Sequence, residues 1–307
     1  MEYSLRTFSK SANFRLLTLT ELVNNLNLIG FEVDEIDYQK IKSNPFLEDI
    51  NLLIKIPANR QDLLNELNFQ KELATIFLLE LNQLWKKLNH EYSFLLNQKY
   101  NQYKSYQTYQ IESDLTSLNV YTIEIKKLNK TLSPIWIQNK LLSNGITPSK
   151  NFRDLLTLVN LEWGQTIDFS PLKILPDQNL YLDKLVKKEI IINQNKETYE
   201  LPTGSIVLKN SNHEILNVLG FNFFEFYKSI SNESIILHAI FYNIYDDFLK
   251  LNGLNNQLSL RHLRKSFLEN FRFSFQRLLT LLELTMGLRD YTMQRILWNK
   301  RHRIKLS

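Results

Sequence analysis

The sequence predicts an α+β fold, with a small N-terminal α/β domain, a larger mixed-sheet domain and C-terminal helices. Hydrophobic residues make up 44% of the 307 residues, which is enough for a substantial core. Segments with helical periodicity and segments with strand alternation both occur along the whole chain. They lack the regular βα alternation of a doubly wound sheet, so an α+β arrangement fits better.

The N-terminal region predicts a helix, two strands and a long helix. The first helix has apolar residues at helical spacing and ends at Gly30, a residue that suits a helix C-terminus. The two strand segments alternate, and the second stops at a proline. These four elements are expected at residues 18–31, 31–36, 50–56 and 63–88.

A tyrosine-rich segment, residues 97–110, follows the long helix. Its rings recur at every third position, at Tyr100, Tyr103, Tyr106 and Tyr109. One interpretation is a set of stacking rings for single-stranded RNA. The other, which we favour, is a linker or a frayed helix extension with the tyrosines on its surface.

The second region predicts a mixture of strands and short helices. Ser133 is expected to cap a helix that has Pro134 in its first turn and ends at Gly145. A helix or helix–strand element ends at the Trp-Gly-Gln turn before Asp168. Strands are expected at 120–128, 197–210, 213–221 and 233–243, and mostly helix over 259–298.

Composition excludes several kinds of site. The chain has no cysteine, which rules out disulfides, zinc–thiolate sites and cysteine nucleophiles, and its five histidines show no metal-ligand spacing. No apolar run is long enough to span a bilayer, and the N-terminus lacks the apolar segment of a secretory signal. The net charge of +5 permits contact with nucleic acid without requiring it.

No catalytic motif stands out by itself. The sequence has no Gly-rich phosphate loop, no Walker lysine and no G-x-S-x-G elbow. His238 lies in an apolar strand segment, where a lone histidine is more often a hydrogen-bonded core or rim residue than a base. The basic C-terminal residues 300–305 fit either phosphate contact or a solvated tail.

Two stretches nevertheless resemble the beta subunit of bacterial-type phenylalanyl-tRNA synthetases. The first carries the family's strand, N-R-P-D and A-R-E-x-A pattern, with matches at Asn59, Arg60, Asp62, Glu72 and Ala74. The second is similar to the opening of the family's editing domain. Its matches are Ser133, Pro134, Trp136, Gln138, Leu141, Gly145, Ile146, Pro148, Asp154, Glu162, Gly164 and Gln165.

The resemblance also places a candidate editing pocket. Asp168 stands where the family has a pocket histidine, and His238 aligns with a pocket glutamate. Asn217 aligns with a pocket glycine. The remaining candidates are Gly220, Asn256 and Leu258, and the resemblance implies tRNA contacts at Arg261 and Arg264. Scaffold residues match while pocket residues mostly differ, so we expect the fold to persist and editing to be weakened.

The resemblance implies a shortened beta-type chain. We expect an N-terminal synthetase-beta-like domain at 1–96, a linker at 97–110, an editing-type, tRNA-binding domain with its C-terminal helix at 111–300, and a basic tail at 301–307. Such a chain holds no cofactor and has no aminoacylation chemistry of its own. Its implied partners are a catalytic alpha subunit, which binds ATP and Mg²⁺, tRNA-Phe, and a second polypeptide that supplies the missing domains, with no membrane.

Two other functions remain open from the sequence. One is a free-standing tRNA-editing hydrolase that uses Asp168 and His238, and the other is a non-catalytic scaffold that retains the fold. Asn, Lys, Ile, Leu and Tyr abound while alanine occurs only four times, a bias typical of AT-rich genomes. This bias and the family indicate the plastid stroma, or otherwise the cytoplasm of a reduced bacterium.

Overall fold

The computed structural model describes residues 2–6, 18–40, 48–57, 60–63, 65–80, 109–111, 118–125, 132–164, 167–171, 180–192, 198–218, 234–242, 268–288 and 291–297. The helices are α1 (Leu19–Leu28), α2 (Glu66–Ile76), α3 (Ile135–Leu142), α4 (Arg153–Trp163) and α5 (Leu268–Met286). The strands are β1 (Glu2–Ser4), β2 (Val33–Lys40), β3 (Glu48–Ile54), β4 (Tyr109–Ile111), β5 (Leu118–Ile125), β6 (Asp168–Pro171), β7 (Leu180–Lys184), β8 (Glu189–Ile192), β9 (Thr198–Leu201), β10 (Ile206–Lys209), β11 (Ile215–Val218), β12 (Ile235–Tyr242) and β13 (Tyr291–Leu297). The predicted α+β class is confirmed.

The chain forms two compact units. The first unit comprises Met1–Lys99, Lys130–Gln165 and Ser266–Gly287, and the second comprises Tyr100–Asn129, Thr166–Lys265 and Leu288–Ser307. The domain bounds given above stay a prediction. Within the described ranges, no helix combines the length and apolarity that a membrane crossing demands.

The described part of the first unit contains helices α1 to α5 and an antiparallel sheet in the order β1-β3-β2. Its core has an aromatic centre. The Tyr3 ring stacks on Phe69 at 4.1 Å between centroids, and Phe31 meets Phe69 edge-on at 5.6 Å. The buried Tyr3 hydroxyl donates a hydrogen bond of 2.8 Å to the carbonyl oxygen of Leu63. These contacts pack β1 against the segment that leads into α2.

The described residues of the second unit form two four-stranded sheets and a hairpin. The strand orders are β11-β10-β7-β4 and β13-β5-β12-β6, and the hairpin is β8–β9. The first sheet is mixed because β4 runs parallel to β7, whereas every pair in the second sheet is antiparallel. The predicted pairing of the strand segments at 197–210 and 213–221 is confirmed as the antiparallel pair β10–β11.

Helix α1 forms where the sequence predicts it. Thr18 and Glu21 make a capping box at its start, and Gly30 follows its end with φ of +91°. The predicted long helix at 63–88 is wrong in length, because α2 ends at Ile76. Leu78 takes the left-handed conformation, with φ of 53°, and the Leu79 N–H bonds back to the Ala74 carbonyl, which closes the helix without a glycine.

Two further expectations need correction. The interval 259–298 is not mostly helical at its end, because Tyr291–Leu297 is a strand that pairs with β5 along seven positions. Ser133 does not cap α3 either. Pro134 occupies the cap position without a side-chain bond, and the Ser133 hydroxyl is bonded to Asp154 instead.

Candidate functional site

The predicted pocket residues Asp168 and His238 lie directly opposite each other. They are Cα partners in the antiparallel pair of β6 and β12. Directly opposed residues in such a pair project to the same face of the sheet, with Cβ atoms about 4.5–5.5 Å apart. The structure therefore brings these two predicted site residues together. Both are buried, with exposed fractions of 7% for Asp168 and 1% for His238.

His238 joins the two four-stranded sheets of the second unit through its ring nitrogens. Nε2 lies 3.0 Å from the hydroxyl oxygen of Ser170, on β6, and Nδ1 lies 3.3 Å from the amide nitrogen of Asn217, on β11. An amide nitrogen can only donate, so Nδ1 accepts from Asn217. The ring proton then resides on Nε2 and is donated to Ser170.

Burial lowers the pKa of His238 to about 3. The ring is therefore neutral at physiological pH. An efficient general base has a pKa near the working pH and a free ring lone pair, whereas the Nδ1 lone pair of His238 already accepts a hydrogen bond from Asn217. His238 with Ser170 and Asn217 is thus a buried polar network, hereafter the His238 network, and its geometry does not provide a base for attack by water.

The His238 network predicts a pH dependence of stability. Because the folded-state pKa lies below the ordinary value of 6.5, the unfolded chain binds a proton first as pH falls. The second unit should lose stability from about pH 6.5 down towards pH 3. We expect His238→Gln, which cannot titrate, to flatten this loss between about pH 6.5 and 4.5, above the range of most carboxylates, in urea unfolding followed at several pH values. Equal slopes for both proteins in that window would contradict the assignment.

The structure does not describe the other predicted site residues. Gly220, Asn256, Leu258, Arg261 and Arg264 lie outside the described residues. Ser170 was not among the predicted site residues. It follows Asp168 by two positions on β6, so strand alternation places both side chains on the same face. No group of three or more His, Asp or Glu side chains suited to a metal occurs in the described part of the chain.

Three of the matched residues of the first stretch, Arg60, Asp62 and Glu72, form one ion-pair cluster. The Arg60 guanidinium bonds Asp62 through Nε and Nη2, at 3.2 and 3.1 Å, and Glu72 through Nη1 at 2.6 Å. Hydrogen bonds to these carboxylates, first to Glu72 and then to Asp62, raise the pKa of Arg60 above its ordinary value. The cluster connects the turn before α2 to the middle of that helix.

The matched Asp154 organises the loop before α4. Its Oδ2 accepts a 2.5 Å hydrogen bond from the Ser133 hydroxyl and a 3.0 Å bond from the Lys150 N–H, and its Oδ1 accepts a 2.7 Å bond from the Ser149 N–H. Lys150 has a φ of +58°, so these bonds hold a backbone conformation that is uncommon for a lysine. Asp154 therefore has a structural role.

The matched Gly164 ends α4 in the left-handed conformation, with φ of +70°. A Cβ at this position would lie 3.0 Å from the Cβ of Asn65, so the close approach also requires glycine. Asn65 is the N-cap of α2, where its side chain accepts a hydrogen bond from Asn68. Gly164 thus lets the end of α4 pack against the start of α2 in the first unit.

A buried charge network, formed by Glu66, Lys140, Glu162 and Arg277, connects four helices of the first unit. The Lys140 ammonium lies 3.0 Å from Glu66 and 3.1 Å from Glu162. The Arg277 Nε lies 3.0 Å from Glu162. The carboxylates of Glu66 and Glu162 are 3% and 4% exposed. Two cations and two anions balance in this network.

Burial and the neighbouring charges act in opposite directions on these groups. Burial disfavours the charge on Lys140, but Glu66 and Glu162 outweigh it and raise the pKa of the ammonium. Burial likewise opposes the charge on Glu162, but Lys140 and Arg277 outweigh it and lower the pKa of this carboxyl. Lys140 and Glu162 therefore stay ionised at neutral pH, and the network holds the helices by mutual compensation of charge.

Comparison with known proteins adds a family and several relatives. Residues 118–285 match the B3/4 domain family. The chloroplastic phenylalanine–tRNA ligase beta subunit of Phaeodactylum tricornutum is 27% identical, over 78% of this chain and 32% of its own length. Its counterpart in Gracilaria tenuistipitata is 26% identical, over 85% and 35%. The Bacillus subtilis beta subunit is 27% identical, over 64% and 24%.

A solved structure shows a weaker similarity. The N-terminal fragment of the phenylalanyl-tRNA synthetase beta subunit from Pyrococcus horikoshii is 12% identical and has a TM-score of 0.36, covering 85% of this chain and 73% of that one. The chain spans about a third of the length of the first two beta subunits above. The resemblance identified from the two sequence stretches is confirmed by the three beta subunits that are similar in sequence.

Proposed function

Because this chain belongs to the B3/4 domain family, we propose that it is a beta-type component of a phenylalanine–tRNA ligase. In this function it takes part in phenylalanyl-tRNA formation together with a separate catalytic alpha subunit. The observation that carries the proposal is the similarity to proteins named phenylalanine–tRNA ligase beta subunits, which covers 78% and 85% of the chain in the two examples above.

The contacts in the first unit support this proposal. The matched residues Arg60, Asp62 and Glu72 bond to one another, and so do Ser133 and Asp154. These matched residues thus connect neighbouring elements of the first unit. None of these groups is arranged to activate phenylalanine. The proposal therefore assigns ATP and Mg²⁺ to the alpha subunit and no cofactor to this chain.

The proposal names two macromolecular partners, the alpha subunit and tRNA-Phe. A finer proposal adds a second polypeptide that supplies regions present in the relatives outside the matched length. We place the assembly in the plastid stroma, in keeping with the chloroplastic relatives and with the AT-rich bias of the composition.

We further propose that hydrolysis of mischarged Tyr-tRNA is weak in this chain. The support is the His238 network, in which the histidine is 1% exposed and its pKa is lowered to about 3. Asn217, at the position of a pocket glycine, fills space with a side chain that bonds to the ring. For the same reason we do not favour a free-standing hydrolase. A scaffold outside the ligase is not favoured either, because the relatives are ligase beta subunits.

The proposed function is tested by isolating the tagged chain with its native partners. We expect a phenylalanyl-tRNA synthetase alpha subunit and tRNA-Phe to co-purify, and the complex to attach phenylalanine to tRNA when ATP and Mg²⁺ are supplied. The purified chain alone should attach none. A complex without the alpha subunit and without charging activity would overturn the proposal, as would charging by the isolated chain.

A further inference from the structure

An exposed apolar patch lies where helix α3 begins in the first unit. It is formed by Leu132, Ile135 and Trp136, whose exposed fractions are 73%, 74% and 48%. The inward face of α3 explains this exposure. Ile137 and Leu141 are buried, and Ile135 lies two positions before Ile137, which is about 200° away around the helix. Single exposed aliphatics are ordinary, but large apolar side chains that lie together on a surface mark interaction sites.

Hydrogen bonds beneath the patch fix its backbone. Ser133 follows Leu132 and is 5% exposed, and its hydroxyl donates a 2.5 Å bond to the Asp154 carboxylate. The side-chain amide of Gln138 donates a 2.8 Å bond to the Ser133 carbonyl oxygen. The exposed side chains therefore project from a backbone that is already ordered, and this ordering lowers the entropy cost of binding a ligand.

An exposed lysine lies at the rim of this patch. The Lys150 carbonyl oxygen accepts a 3.4 Å hydrogen bond from the Ser133 N–H, and the Lys150 N–H donates a 3.0 Å bond to Asp154. These bonds bring the Lys150 backbone against the residue that links Leu132 to α3. The side chain is exposed, and its ammonium has no ion-pair partner among the residues that the structure describes.

The charges of the surrounding segment favour an anionic ligand. Residues 132–164, all of which the structure describes, contain two acids, Asp154 and Glu162. Both are buried, at 1% and 3% exposure, and both are bonded within the unit. Lys150 is the one charged residue of this segment that is exposed. The segment therefore presents a positive charge and no negative one, as a contact for phosphate requires.

The exposed indole narrows the choice among anionic ligands. Trp136 makes no hydrogen bond to any residue that the structure describes, and about half of its surface meets solvent. Nucleic acid bases stack on exposed aromatic rings while neighbouring cations contact the phosphates. Leu132 and Ile135 can cover the apolar face of a base as well as a protein side chain. An open ring beside an unpaired cation, however, is the combination that single-stranded RNA uses.

We propose that Trp136 and Lys150 form a contact for a single-stranded segment of RNA. One unpaired base stacks on the indole, and a neighbouring phosphate pairs with the Lys150 ammonium. The inference rests on the proposed function in one respect, since it takes the RNA to be an unpaired segment of tRNA-Phe. It adds a contact in the first unit, whereas the candidate editing residues Asp168 and His238 belong to the second.

The test measures binding of a tRNA-Phe transcript, and of a uridine oligomer of about six nucleotides at low salt, to the full chain. We expect both RNAs to quench tryptophan fluorescence. Trp136→Leu should abolish the quenching by the oligomer and weaken its binding by about 5- to 150-fold, the range for the loss of one stacked base. Trp136→Phe keeps a ring and should retain most of the affinity. Lys150→Gln should reduce the slope of log affinity against log salt by about 0.7.

The matched control is Lys71→Gln, because Lys71 is an exposed lysine on α2 in the same unit. It should leave oligomer binding unchanged, and circular dichroism checks that each variant is folded. Failure of the oligomer to bind, equal losses in Trp136→Leu and Trp136→Phe, or equal effects of Lys71→Gln and Lys150→Gln would overturn the RNA contact.

The outcome for this contact is separable from that for the ligase function. If the RNA contact fails while the alpha subunit still co-purifies and the complex still charges tRNA, the proposed function stands without it. Loss of the alpha subunit from the Trp136→Leu complex, with oligomer binding unchanged, would overturn the RNA contact in favour of a protein contact at the same patch.

Discussion

Replacing Glu162 with glutamine is expected to destabilise the first unit by about 3–5 kcal/mol. Removing one member of a buried ion pair costs this much, because the remaining charge stays buried without compensation. Glu162 holds both Lys140, at 3.1 Å, and Arg277, at 3.0 Å. The glutamine is nearly the same size, so the loss arises from charge rather than from a cavity. Urea unfolding followed by circular dichroism measures the free-energy difference.

The same variant should change the response to acid. Lys140 and Arg277 outweigh burial and lower the pKa of Glu162 below its ordinary value. The stabilisation is therefore present above the unfolded-state pKa of about 4.3–4.5 and is lost as pH falls through the lower folded-state pKa. We expect the free energy of unfolding to fall less steeply in this acid range for Glu162→Gln than for the natural protein.

Two matched variants separate the network from surface charge. Glu200→Gln removes an exposed carboxylate that is paired with Lys188, and it should cost at most about 1 kcal/mol. Glu162→Gln combined with Arg277→Met restores charge balance in the network. The double variant should cost less than the sum of the two single variants. Additive single effects, or a Glu162→Gln effect as small as that of Glu200→Gln, would show that the network does not stabilise the unit as argued.

Local sequence signals predicted the N-terminal elements well, except for the end of helix α2, which is formed by an unusual residue. Helix α1 begins at a Thr18 capping box and is followed by Gly30, and both signals are visible in the sequence. Helix α2 ends through the left-handed Leu78, a position where glycine is the usual signal. The apolar pattern continues beyond Leu78, so periodicity alone predicted a helix that was too long.

Long-range pairing was the part that local signals did not supply. Residues 291–297 became a strand because they align with seven positions of β5, more than 160 residues earlier in the chain. The buried charge network likewise joins Glu66 to Lys140 and Lys140 to Glu162 across distant stretches. In the sequence these were ordinary charged residues of helices, which are usually solvated.

The sequence pointed to Asp168 and His238 and favoured a hydrogen-bonded core or rim histidine over a base, but it did not identify the side chains that bond to the ring. The resemblance paired Asp168 with His238, and the strand register places them opposite each other. Asn217 reaches the almost fully buried ring of His238 from a strand of the other sheet. The residue pattern of a single strand does not indicate which strand of another sheet packs against it.

Exchanging His238 for glutamate alone is expected to destabilise the second unit by about 3–5 kcal/mol. The substitution places a buried carboxylate directly opposite Asp168, and like charges across a strand pair repel. It also removes the ring that bonds Ser170 and Asn217, which leaves buried polar groups without that partner. Thermal unfolding and urea unfolding of the purified variant measure the effect.

The double exchange, Asp168→His with His238→Glu, tests whether the two positions form one pair. If they do, the double variant should be more stable than the sum of the single variants predicts, by a coupling energy of about 0.5–3 kcal/mol. The matched control combines His238→Glu with Asp183→Asn, since Asp183 lies on β7, which does not pair with β12. This control should show no such coupling.

A triple variant built on this double exchange tests whether residues 168, 217 and 238 limit the hydrolysis of mischarged tRNA. With Asn217→Gly added to the double exchange, the side chain that bonds His238 is removed and the space beside the strand pair is opened. If the changed residues are what weakens editing, this triple variant should hydrolyse Tyr-tRNA-Phe faster than the natural chain under matched conditions. A triple variant that folds, shows the expected coupling and yet hydrolyses no faster would mean that these three positions do not limit editing. Rapid hydrolysis by the natural chain would instead refute the closed state of the His238 network.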